Sequence, residues 1–355
     1  MPKPTVTAIV DTYNHERFIE EAIVSVLEQD YPSSEMEVIV VVDGSTDRTP
    51  KIARKFEPRV RFIRKPNGGQ ASAFNAGIPE ARGEFIAFLD GDDWWMRNKL
   101  TRALETFAKE PELGFVGHGD IVVYPDGRQQ LHVLRESVRF QANTLEGALL
   151  FRRRGAFMGT CRMTVRSEIL KSLLPVPESL TIQADEYLFT LAATACQVRI
   201  LAEPLFCYRI HDSNAFQMRS NDSQRLRRKQ QVLADLARCL EQLLAARGLK
   251  DGVIRMITER MQADAIQLRL ILDGGHPWET VQAERTLYEV LHPEATAWQR
   301  AFKALSLVPA YVMPPRLFYK AKQRLASSPL YLRARKRWLP IPEMPHLQKD
   351  WSSTP

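Results

Sequence analysis

The sequence predicts an α/β protein with a central mixed, mostly parallel sheet flanked by helices, and with a C-terminal helical extension. Mostly apolar segments of strand length alternate four times with helical patterns in the first hundred residues, an order that produces right-handed crossovers and parallel strands. The fourth segment, residues 85–89, is apolar at every position, which is typical of a strand covered by helices on both faces. Three of the four segments end in acidic or polar turn residues, so these residues should cluster along one edge of the sheet.

The first three strands and the helices beside them are predicted from short patterns. Apolar residues recur at helical spacing over 18–27, which predicts a helix after the first strand, and Asn14 is expected to be its N-cap. A second, short helix should end at Phe56. The strands are expected at residues 6–10, 38–42 and 60–63.

The pattern changes around the fourth strand. A helix of small residues at 71–81 leads into this strand, and another helix is predicted at 98–109. A turn at 125–127 joins two further strands, so antiparallel pairing should make the sheet mixed. A helical run at 187–195 and a strand at 204–210 follow. The remaining short strands are expected at residues 115–116, 121–124, 131–134 and 163–165.

Three regions are predicted: a main domain at 1–215, a helical region at 216–300, and a basic, aromatic, Pro-interrupted tail at 301–355. Ten basic residues and no acidic residue lie between Arg300 and Arg337, which exceeds the net charge of +7 of the whole chain. The basic character therefore belongs to the tail and indicates nothing about the main domain.

The tail favours a lipid partner. Aromatic and aliphatic residues are interleaved with the basic ones over 301–338, a pattern that predicts contact with an anionic membrane surface. The alternative is an extension that packs on the main domain and keeps a solvated basic face. Nucleic acid is not expected as a partner, because no motif for it accompanies the charge.

The composition is that of an ordinary soluble globular protein. No apolar run approaches the roughly 20 residues that a membrane-spanning helix needs. Residues 1–4 lead at once into a strand, which leaves no room for a signal peptide. The four cysteines show neither metal-type spacing nor a disulfide framework. We therefore expect a reduced, cytoplasmic protein, peripheral at the inner face of the cell membrane if the tail binds lipid.

The strand at 85–89 ends in three carboxylates, Asp90, Asp92 and Asp93, with Gly91 in the turn between them. Carboxylates this close repel one another unless a cation lies between them, and a divalent metal is the simplest candidate. Asp90 and Asp92 have Asp-x-Asp spacing, so both could bind one ion. The alternative is a solvated acidic turn that caps the following helix.

Motifs over residues 5–215 resemble the inverting glycosyltransferases of family 2, which have the GT-A fold. Each motif alone is a weak signal, whereas their order and spacing together are specific. They are Thr12-Tyr13-Asn14, Val42-Asp43-Gly44-Ser45-Thr46-Asp47, Asn67-Gly68-Gly69-Gln70, Asn75-Ala76-Gly77, Ala81-Arg82-Gly83-Glu84, Phe88-Leu89-Asp90-Gly91-Asp92-Asp93 and Tyr208-Arg209-Ile210-His211. The chain has neither Gly-x-Gly-x-x-Gly nor a P-loop, so dinucleotide and P-loop functions lose their main support.

The resemblance implies a site for a nucleotide diphosphate sugar, with UDP- or dTDP-sugars favoured. Asp43 would accept the N3–H of a uracil or thymine base, although it could merely cap a helix, and Tyr13 would stack on or border this base. Asp11 adds a second acid near the base, where the family often has Pro, Thr or Ser. The ribose and diphosphate would lie beside Asn67, Gly69, Gln70, Asn75, Asp90 and Gly91, with Arg209 facing the diphosphate.

The resemblance also implies a cation and a general base. Asp92 matches the position that binds Mg²⁺ or Mn²⁺, with Asp90 helping directly or through water and His211 facing the metal or the diphosphate. Asp185 is the expected base for the acceptor hydroxyl, and Glu186 is the second choice. The alternative is that both only favour the positive end of the helix that follows.

The resemblance implies transfer of a single sugar, with inversion, to a glycan or lipid-linked acceptor, because the Gln-x-x-Arg-Trp motif of processive members is missing after His211. Phe74 also replaces a frequent Arg, which removes a phosphate contact. Two other functions stay open. A nucleotidyltransferase would need a Gly-rich first turn with Lys or Arg, and a sugar-nucleotide-binding or scaffold protein would keep the fold without turnover.

Overall fold

The computed structural model describes residues 4–154, 158–212, 214, 223–292 and 295–326. Within these residues ten strands form one sheet. The strands are β1 Val6–Thr12, β2 Met36–Asp43, β3 Arg61–Lys65, β4 Phe85–Asp90, β5 Trp94–Trp95, β6 Leu113–Val123, β7 Gln129–His132, β8 Val138–Phe140, β9 Met163–Arg166 and β10 Gln197–Arg209.

Twelve α-helices lie in the same residues. Those that flank the sheet are α1 Ile19–Leu27, α2 Thr49–Ala53, α3 Gln70–Gly77, α4 Lys99–Lys109, α5 Leu145–Arg154, α6 Ser167–Ser172 and α7 Ala184–Ala195. The C-terminal ones are α8 Ser223–Ala246, α9 Asp251–Leu272, α10 Pro277–Leu291, α11 Ala297–Ser306 and α12 Pro315–Ala326.

The sheet has the predicted mixed, mostly parallel topology. Its main path runs β3-β2-β1-β4-β9-β6-β10-β5, with β7 paired to β6 and β8 to β10. The first four strands of this path are parallel, as are β6 and β10, whereas β9 is antiparallel to both of its neighbours. The carboxyl ends of β1, β2 and β4 therefore meet at one edge.

The central strands are buried on both faces, which explains why the sequence of β4 does not alternate. Phe88 packs in an apolar cluster with α3, α7, α8 and α9, and its neighbour Leu89 packs in a second cluster with α1 and α4. Ile9 and Val10 of β1 divide in the same way. Each of these side chains is fully buried.

The helices α8 and α9 pack on the main domain, because Leu236 and Ile257 belong to the same apolar cluster as Phe88. A smaller cluster joins α9, α10 and α12, with Leu270, Val281 and Phe318 among its members. The predicted boundary between residues 215 and 216 lies outside the described residues. No helix among the described residues is long and apolar enough to cross a bilayer.

Some predicted elements were wrong in their limits. The helix predicted at 71–81 ends at Gly77, and β10 begins at Gln197, seven positions before the predicted strand. Asn14 does not cap α1, which begins at Ile19; it has φ 56° and its Oδ1 accepts the Thr46 N–H at 2.8 Å. β5 and β8 are too short to leave a sequence pattern. The predicted tail contributes the end of α11 and α12, and 327–355 lie outside the described residues.

Candidate active site

The site is built where the parallel strands end. In the register of β1 and β4, Asp11 pairs with Asp90. Asp43 is the last residue of β2, the other neighbour of β1. The main-chain N–H of Gly91 donates to the Asp11 carbonyl at 2.9 Å, which ties the acidic turn to β1. Three predicted site carboxylates therefore stand on adjacent strands.

Asp43 organises the turn that precedes α3. Its carboxylate is buried and accepts hydrogen bonds from Lys65 Nζ at 2.5 Å, the Gly68 N–H at 3.0 Å and the Gly69 N–H at 2.7 Å. The side-chain amide of Asn67 donates to the Asp43 carbonyl at 3.0 Å. An ionised carboxylate has about four acceptor positions. Asp43 thus holds the turn and keeps about one position for a further donor.

The loops after β1 and β2 are fastened to each other. The Asn14 N–H donates to Ser45 Oγ at 3.0 Å, in addition to the bond between the Asn14 side chain and Thr46. The preceding residue, Tyr13, leaves 46% of its surface exposed. Its ring is therefore available to a ligand at this edge of the sheet.

Two glycines permit close backbone approach in this region. Gly69 has φ +81°, and a Cβ there would lie 2.6 Å from the Thr181 carbonyl oxygen. At Gly91 a Cβ would lie 2.5 Å from Thr12 Oγ1 and 3.0 Å from His15 Nδ1. Both turns thus require glycine.

The acidic cluster resists full ionisation. Burial, followed by the charge of Asp92, raises the pKa of Asp11 to about 7. Burial and the charges of Asp11 and Asp92 also raise the pKa of Asp90 well above its ordinary value. Oδ1 of each of these two residues is buried and accepts no hydrogen bond from the described residues. Such unpartnered oxygens are suited to a cation.

Asp92 carries the opposite shift because two histidines flank it. His211 Nε2 lies 2.9 Å and His15 Nε2 lies 3.7 Å from Asp92 Oδ2. Burial opposes the ionisation of Asp92, but the hydrogen bond from His211 and the charges of both histidines outweigh it and lower the pKa. Asp92 and His211, predicted as metal ligands, are therefore in contact.

The third carboxylate of the turn faces inward. Asp93 Oδ1 accepts the Arg209 N–H at 2.8 Å, and Cys161 Sγ donates to Asp93 Oδ2 at 3.4 Å. The same sulfur accepts the Asp90 N–H at 3.1 Å. Ligand atoms of Asp90, Asp93 and Cys161 lie within 4.8 Å of one another. This group of two carboxylates and a thiol could therefore hold a divalent cation.

Arg209 is held against the acidic turn. Its Nε donates to the Asp92 carbonyl at 3.0 Å, and its guanidinium pairs with Glu21. The same group lies 4.4 Å from the ring centre of Trp94 and 4.9 Å from that of Phe18. Arg209 thus fixes the turn that carries Asp92.

The two acids of α7 face different surroundings. Asp185 Oδ2 accepts the N–H of Thr160 at 3.2 Å and its Oγ1–H at 3.1 Å, and the charge of Asp185 contributes to the raised pKa of Asp11. Burial raises the pKa of Asp185 as well. For Glu186, burial and then the Asp185 charge raise the pKa to about 7, while Arg260 of α9 acts in the opposite direction. Asp185 therefore belongs electrostatically to the strand-end cluster and Glu186 to the contact with α9.

Gln70 and Asn75 use their side chains within the fold. Gln70 Nε2 donates to Thr160 Oγ1 at 3.0 Å, and its Oε1 accepts the Ala184 N–H at 2.8 Å. Both ends of the Asn75 amide bond the main chain of Val176 at 2.8 Å. The predicted contacts of both residues with the nucleotide sugar stay predictions. Their observed hydrogen bonds join α3 to the segment that carries Asp185.

Residues 7–173 match the family model of glycosyl transferase family 2. They include the site residues from Asp11 to Cys161, whereas Asp185, Arg209 and His211 lie beyond them. The matched residues belong to glycosyl transferase family 2. The GT-A fold predicted from the sequence is confirmed as well.

Curated relatives match this chain over part of their length. An uncharacterized glycosyltransferase of Nostoc, alr2836, is 32% identical over 59% of this chain and 66% of its own. Bacillus subtilis EpsJ, also an uncharacterized glycosyltransferase, is 43% identical over 33% and 34%. The putative teichuronic acid biosynthesis glycosyltransferase TuaG of Bacillus subtilis is 38% identical over 35% and 50%. The chain thus spans between about a third and two thirds of these relatives.

Solved structures share the fold over most of the chain. TarS of S. aureus, in complex with UDP-GlcNAc, has TM-score 0.55 at 19% identity and covers 90% of this chain and 92% of its own. The mannosyltransferase PcManGT of Pyrobaculum calidifontis, in complex with GDP-Man and Mn²⁺, has TM-score 0.51 at 23% identity and covers 95% and 88%. At these identities the likeness between this chain and the two enzymes shows a shared fold.

Sequence reasoning missed several residues that touch the predicted site, and it gave Asp93 no role of its own. His15 could have been found, because it follows the end of β1 in the loop that carries Tyr13 and Asn14. Asp93 was noticed only as a charge. Thr160 and Cys161 gave no signal, because they precede β9 and reach the site only through its antiparallel pairing with β4.

Proposed function

We propose that this chain is a metal-dependent, inverting glycosyltransferase that moves one sugar from a nucleotide diphosphate sugar to a hydroxyl of a glycan or lipid-linked acceptor. The observation that carries the proposal is the convergence of carboxylates at the strand ends, where Asp11 pairs with Asp90 and Asp43 ends the neighbouring strand β2. After burial, the pKa of Asp11 is raised by the charges of Asp92, Asp185 and Asp43, which are the expected metal ligand, general base and base-reading residue. Membership in glycosyl transferase family 2 and the names of the relatives support the same activity.

The donor lies, in this proposal, between the loops after β1 and β2 and the turn before α3. Asp43 keeps an acceptor position for the N3–H of uracil or thymine, which favours UDP- or dTDP-sugars. The exposed ring of Tyr13 borders the base. The ribose and diphosphate would lie beside the turns of Gly69 and Gly91, and the UDP-GlcNAc and GDP-Man complexes of TarS and PcManGT support a nucleotide sugar as the donor.

A divalent cation would be held by Asp92 and His211, with Asp90 as an additional ligand. The unpartnered Asp90 Oδ1 and the ionised state favoured for Asp92 support this assignment, as does Mn²⁺ in the PcManGT complex. When bound, Mg²⁺ or Mn²⁺ supplies Lewis acidity and neutralises charge on a departing diphosphate. His15 would orient Asp92 from the other side.

Asp185 is the proposed general base. Its raised pKa makes it a better proton acceptor than an ordinary aspartate, and Thr160 fixes one carboxylate oxygen. Asp185 takes the acceptor hydroxyl proton while the hydroxyl oxygen bonds to the anomeric carbon. The bond from that carbon to the diphosphate oxygen breaks, and its electron pair leaves with the nucleoside diphosphate. A single displacement of this kind inverts the anomeric configuration.

The acceptor and the location of the reaction have separate support. The name of TuaG favours a glycan acceptor, and the basic, aromatic residues after 297 favour work at the inner face of a membrane on a lipid-linked one. The sequence reading of a nucleotidyltransferase gains no support from the site, because no Gly-rich turn with Lys or Arg follows β1.

The test is donor turnover by the full chain with a panel of UDP-, dTDP- and GDP-sugars, with and without Mn²⁺ or Mg²⁺. We expect metal-dependent release of nucleoside diphosphate, greatest with a UDP- or dTDP-sugar. The variant Asp92→Asn should lose this release and the metal-induced rise in Tm while keeping its fold. Pyrophosphate release from a nucleoside triphosphate would instead indicate a nucleotidyltransferase, and nucleotide binding without turnover on any acceptor would indicate a scaffold.

A further inference from the structure

Helix α11 presents an apolar face that nothing in the described residues covers. Trp298, Phe302 and Leu305 follow one another at i, i+4 and i+7 and are 75%, 59% and 66% exposed. Ala301 lies on the same side and is exposed too. No residue of α11 is buried. An amphipathic helix normally turns such a stripe toward a core, so these four side chains, the α11 surface, require another partner.

The helix is fixed with this surface outward. At 100° per residue, Lys303 lies on the other side of α11, where its Nζ pairs with the buried Glu284 of α10 at 2.9 Å. The turn that follows α11 buries Leu307 and Ala310 in the cluster that contains Leu270 and Phe318. The contacts of Lys303, Leu307 and Ala310 therefore orient α11 so that the α11 surface faces outward.

The segment that carries the α11 surface has charges of one sign. Residues 295–326 contain six basic residues and no acidic residue. Glu284 pairs with two of them, Lys303 and Lys322. The other four are Arg300, Arg316, Lys320 and Arg324. A partner that covers the surface must therefore be apolar at its centre and negatively charged around it.

We propose that the α11 surface inserts into the headgroup region of a bilayer that contains anionic lipids. Trp298 and Phe302 have the large apolar rings that enter this zone, and basic side chains beside them attract the lipid phosphates. Exposed aliphatic side chains of the next turn, Val308 and Val312, extend the contact. Only the role of this contact rests on the proposed function: it would bring the active site to a lipid-linked acceptor.

Charge disfavours the two other occupants that the chain itself offers. A second copy would bring two basic α11 surfaces together, and like charges oppose that contact. Residues 327–355 have five basic residues and two acidic ones, so covering the surface with this segment adds net positive charge to residues 295–326, which contain no acidic residue.

The experiment is flotation of the full chain with vesicles of phosphatidylcholine alone and of equal parts phosphatidylcholine and phosphatidylglycerol. We expect at least about tenfold stronger binding to the anionic vesicles, weakened by 0.5 M salt. The triple variant Trp298→Ser, Phe302→Ser, Leu305→Ser should lose about tenfold or more of this binding. The matched control is Leu145→Ser, which removes a leucine of α5 that is 57% exposed and lies outside the surface; it should bind as the wild type does.

Trp298 also reports insertion directly. Its emission, obtained as the difference between the wild type and Trp298→Phe, should shift to the blue and be quenched by brominated lipids on anionic vesicles. Equal binding by the triple variant, or no shift of Trp298, would overturn the proposal. The proposal would also be overturned if the wild type formed a dimer, bound no vesicles, and lost the dimer in the triple variant. The same holds if Trp298 became newly accessible to acrylamide in a chain that ends at residue 326. Release of nucleoside diphosphate from a soluble donor should be the same in the triple variant, so the proposed function and this proposal can fail separately.

Discussion

Two adjacent acids on α7 allow the proposed base to be tested at a single position. Asp185 contacts Thr160 and shares the electrostatics of Asp11, whereas Glu186 accepts a hydrogen bond from Gln183 and lies near Arg260. The variant Asp185→Asn should lose sugar transfer by about 100-fold or more, because general bases contribute about 100- to 10,000-fold. Donor binding, measured as the rise in Tm with UDP, should be unchanged.

The control for this prediction is Glu186→Gln, which keeps the hydrogen bond with Gln183 and should retain transfer within a fewfold of the wild type. Transfer that survives in Asp185→Asn and disappears in Glu186→Gln would assign the base to Glu186. Loss of donor binding in Asp185→Asn would instead give this residue a structural role.

The buried state of Asp11 has a consequence for stability against pH. Burial and the charge of Asp92 raise its pKa from 3.8 to about 7, so the folded chain keeps a proton that the unfolded chain releases near pH 4. Its contribution to the free energy of unfolding is therefore greatest at low pH and declines as pH rises toward 7. Asp90, whose pKa is also raised, acts with the same sign.

We expect the Tm of the metal-free protein to fall between pH 5 and pH 8, and the variant Asp11→Asn to reduce this fall. At pH 8 the variant should have the higher Tm, by about 2 °C or more. Calorimetric scans in buffers containing a chelator measure both. Parallel Tm curves for the two proteins would show that Asp11 is ionised throughout and that its surroundings are more polar than its burial indicates.

At the scale of elements, the turn before α3 is set by Asp43 on one side and by Thr181 on the other. Gly69 has φ +81°, and a Cβ there would meet the Thr181 carbonyl oxygen at 2.6 Å. Gly127 has a similar φ, +79°, but a Cβ there would meet nothing within 4 Å. Comparing substitutions at Gly69 and Gly127 therefore distinguishes the cost of backbone strain from the cost of steric crowding.

Gly69→Ala should destabilise the protein by about 2–4 kcal/mol, and Gly127→Ala by about 1 kcal/mol. Both substitutions place a Cβ on left-handed backbone, which is strained, and only Gly69→Ala also crowds a neighbouring residue. Urea unfolding of both variants gives the two free energies. Gly69→Ala should also weaken UDP binding, since the displaced turn carries the N–H that Asp43 accepts. Equal destabilisation of the two variants would mean that Thr181 yields without cost.

The sequence could predict elements whose patterns are local. The buried strands β1, β2 and β4 and the acids at their ends were predictable, because apolar runs and strand-end residues are read directly from the chain. The contact of Asp185 with Thr160 was not, since it joins segments far apart in sequence, and the proximity of Asp92 and His211 was expected only from the resemblance to family 2. The short strands β5 and β8 exist only through pairing with β10, which no local pattern contains.

At the scale of the whole molecule, the C-terminal helices show the same limit. A helical region was predicted at 216–300, but the sequence left open whether the basic tail binds a membrane or packs on the main domain. The described part of the tail packs on α9 and α10 and also keeps an exposed face. Leu307, Phe318 and Tyr319 are buried, while Trp298, Phe302 and Leu305 are exposed. Glu284 decides this geometry, because it is a buried carboxylate of α10 that binds lysines from both later helices.

Glu284 should therefore hold α11 and α12 to the rest of the protein. Its carboxylate is 3% exposed and accepts hydrogen bonds from Lys303 at 2.9 Å, Lys322 at 2.6 Å and Gln267 at 2.9 Å. Glu284→Gln keeps the shape but removes the charge that offsets two ammonium groups, so the free energy of unfolding of this region should fall by about 1–3 kcal/mol. Glu289→Gln removes an exposed i,i+4 pair with Arg285 and should leave the free energy of unfolding almost unchanged, because water screens that pair.

Hydrogen exchange measured by mass spectrometry resolves this prediction by segment. In Glu284→Gln, amides of α10, α11 and α12 should exchange about 5- to 150-fold faster than in the wild type, which is the factor that about 1–3 kcal/mol of local stability produces. Amides of β1, β2 and β4 should keep their protection, because the sheet does not depend on this contact, and UDP binding should be unaffected. Faster exchange throughout the sheet would mean that the C-terminal helices and the sheet unfold as one unit, and unchanged exchange in α11 would mean that Leu307 and Ala310 alone hold it in place.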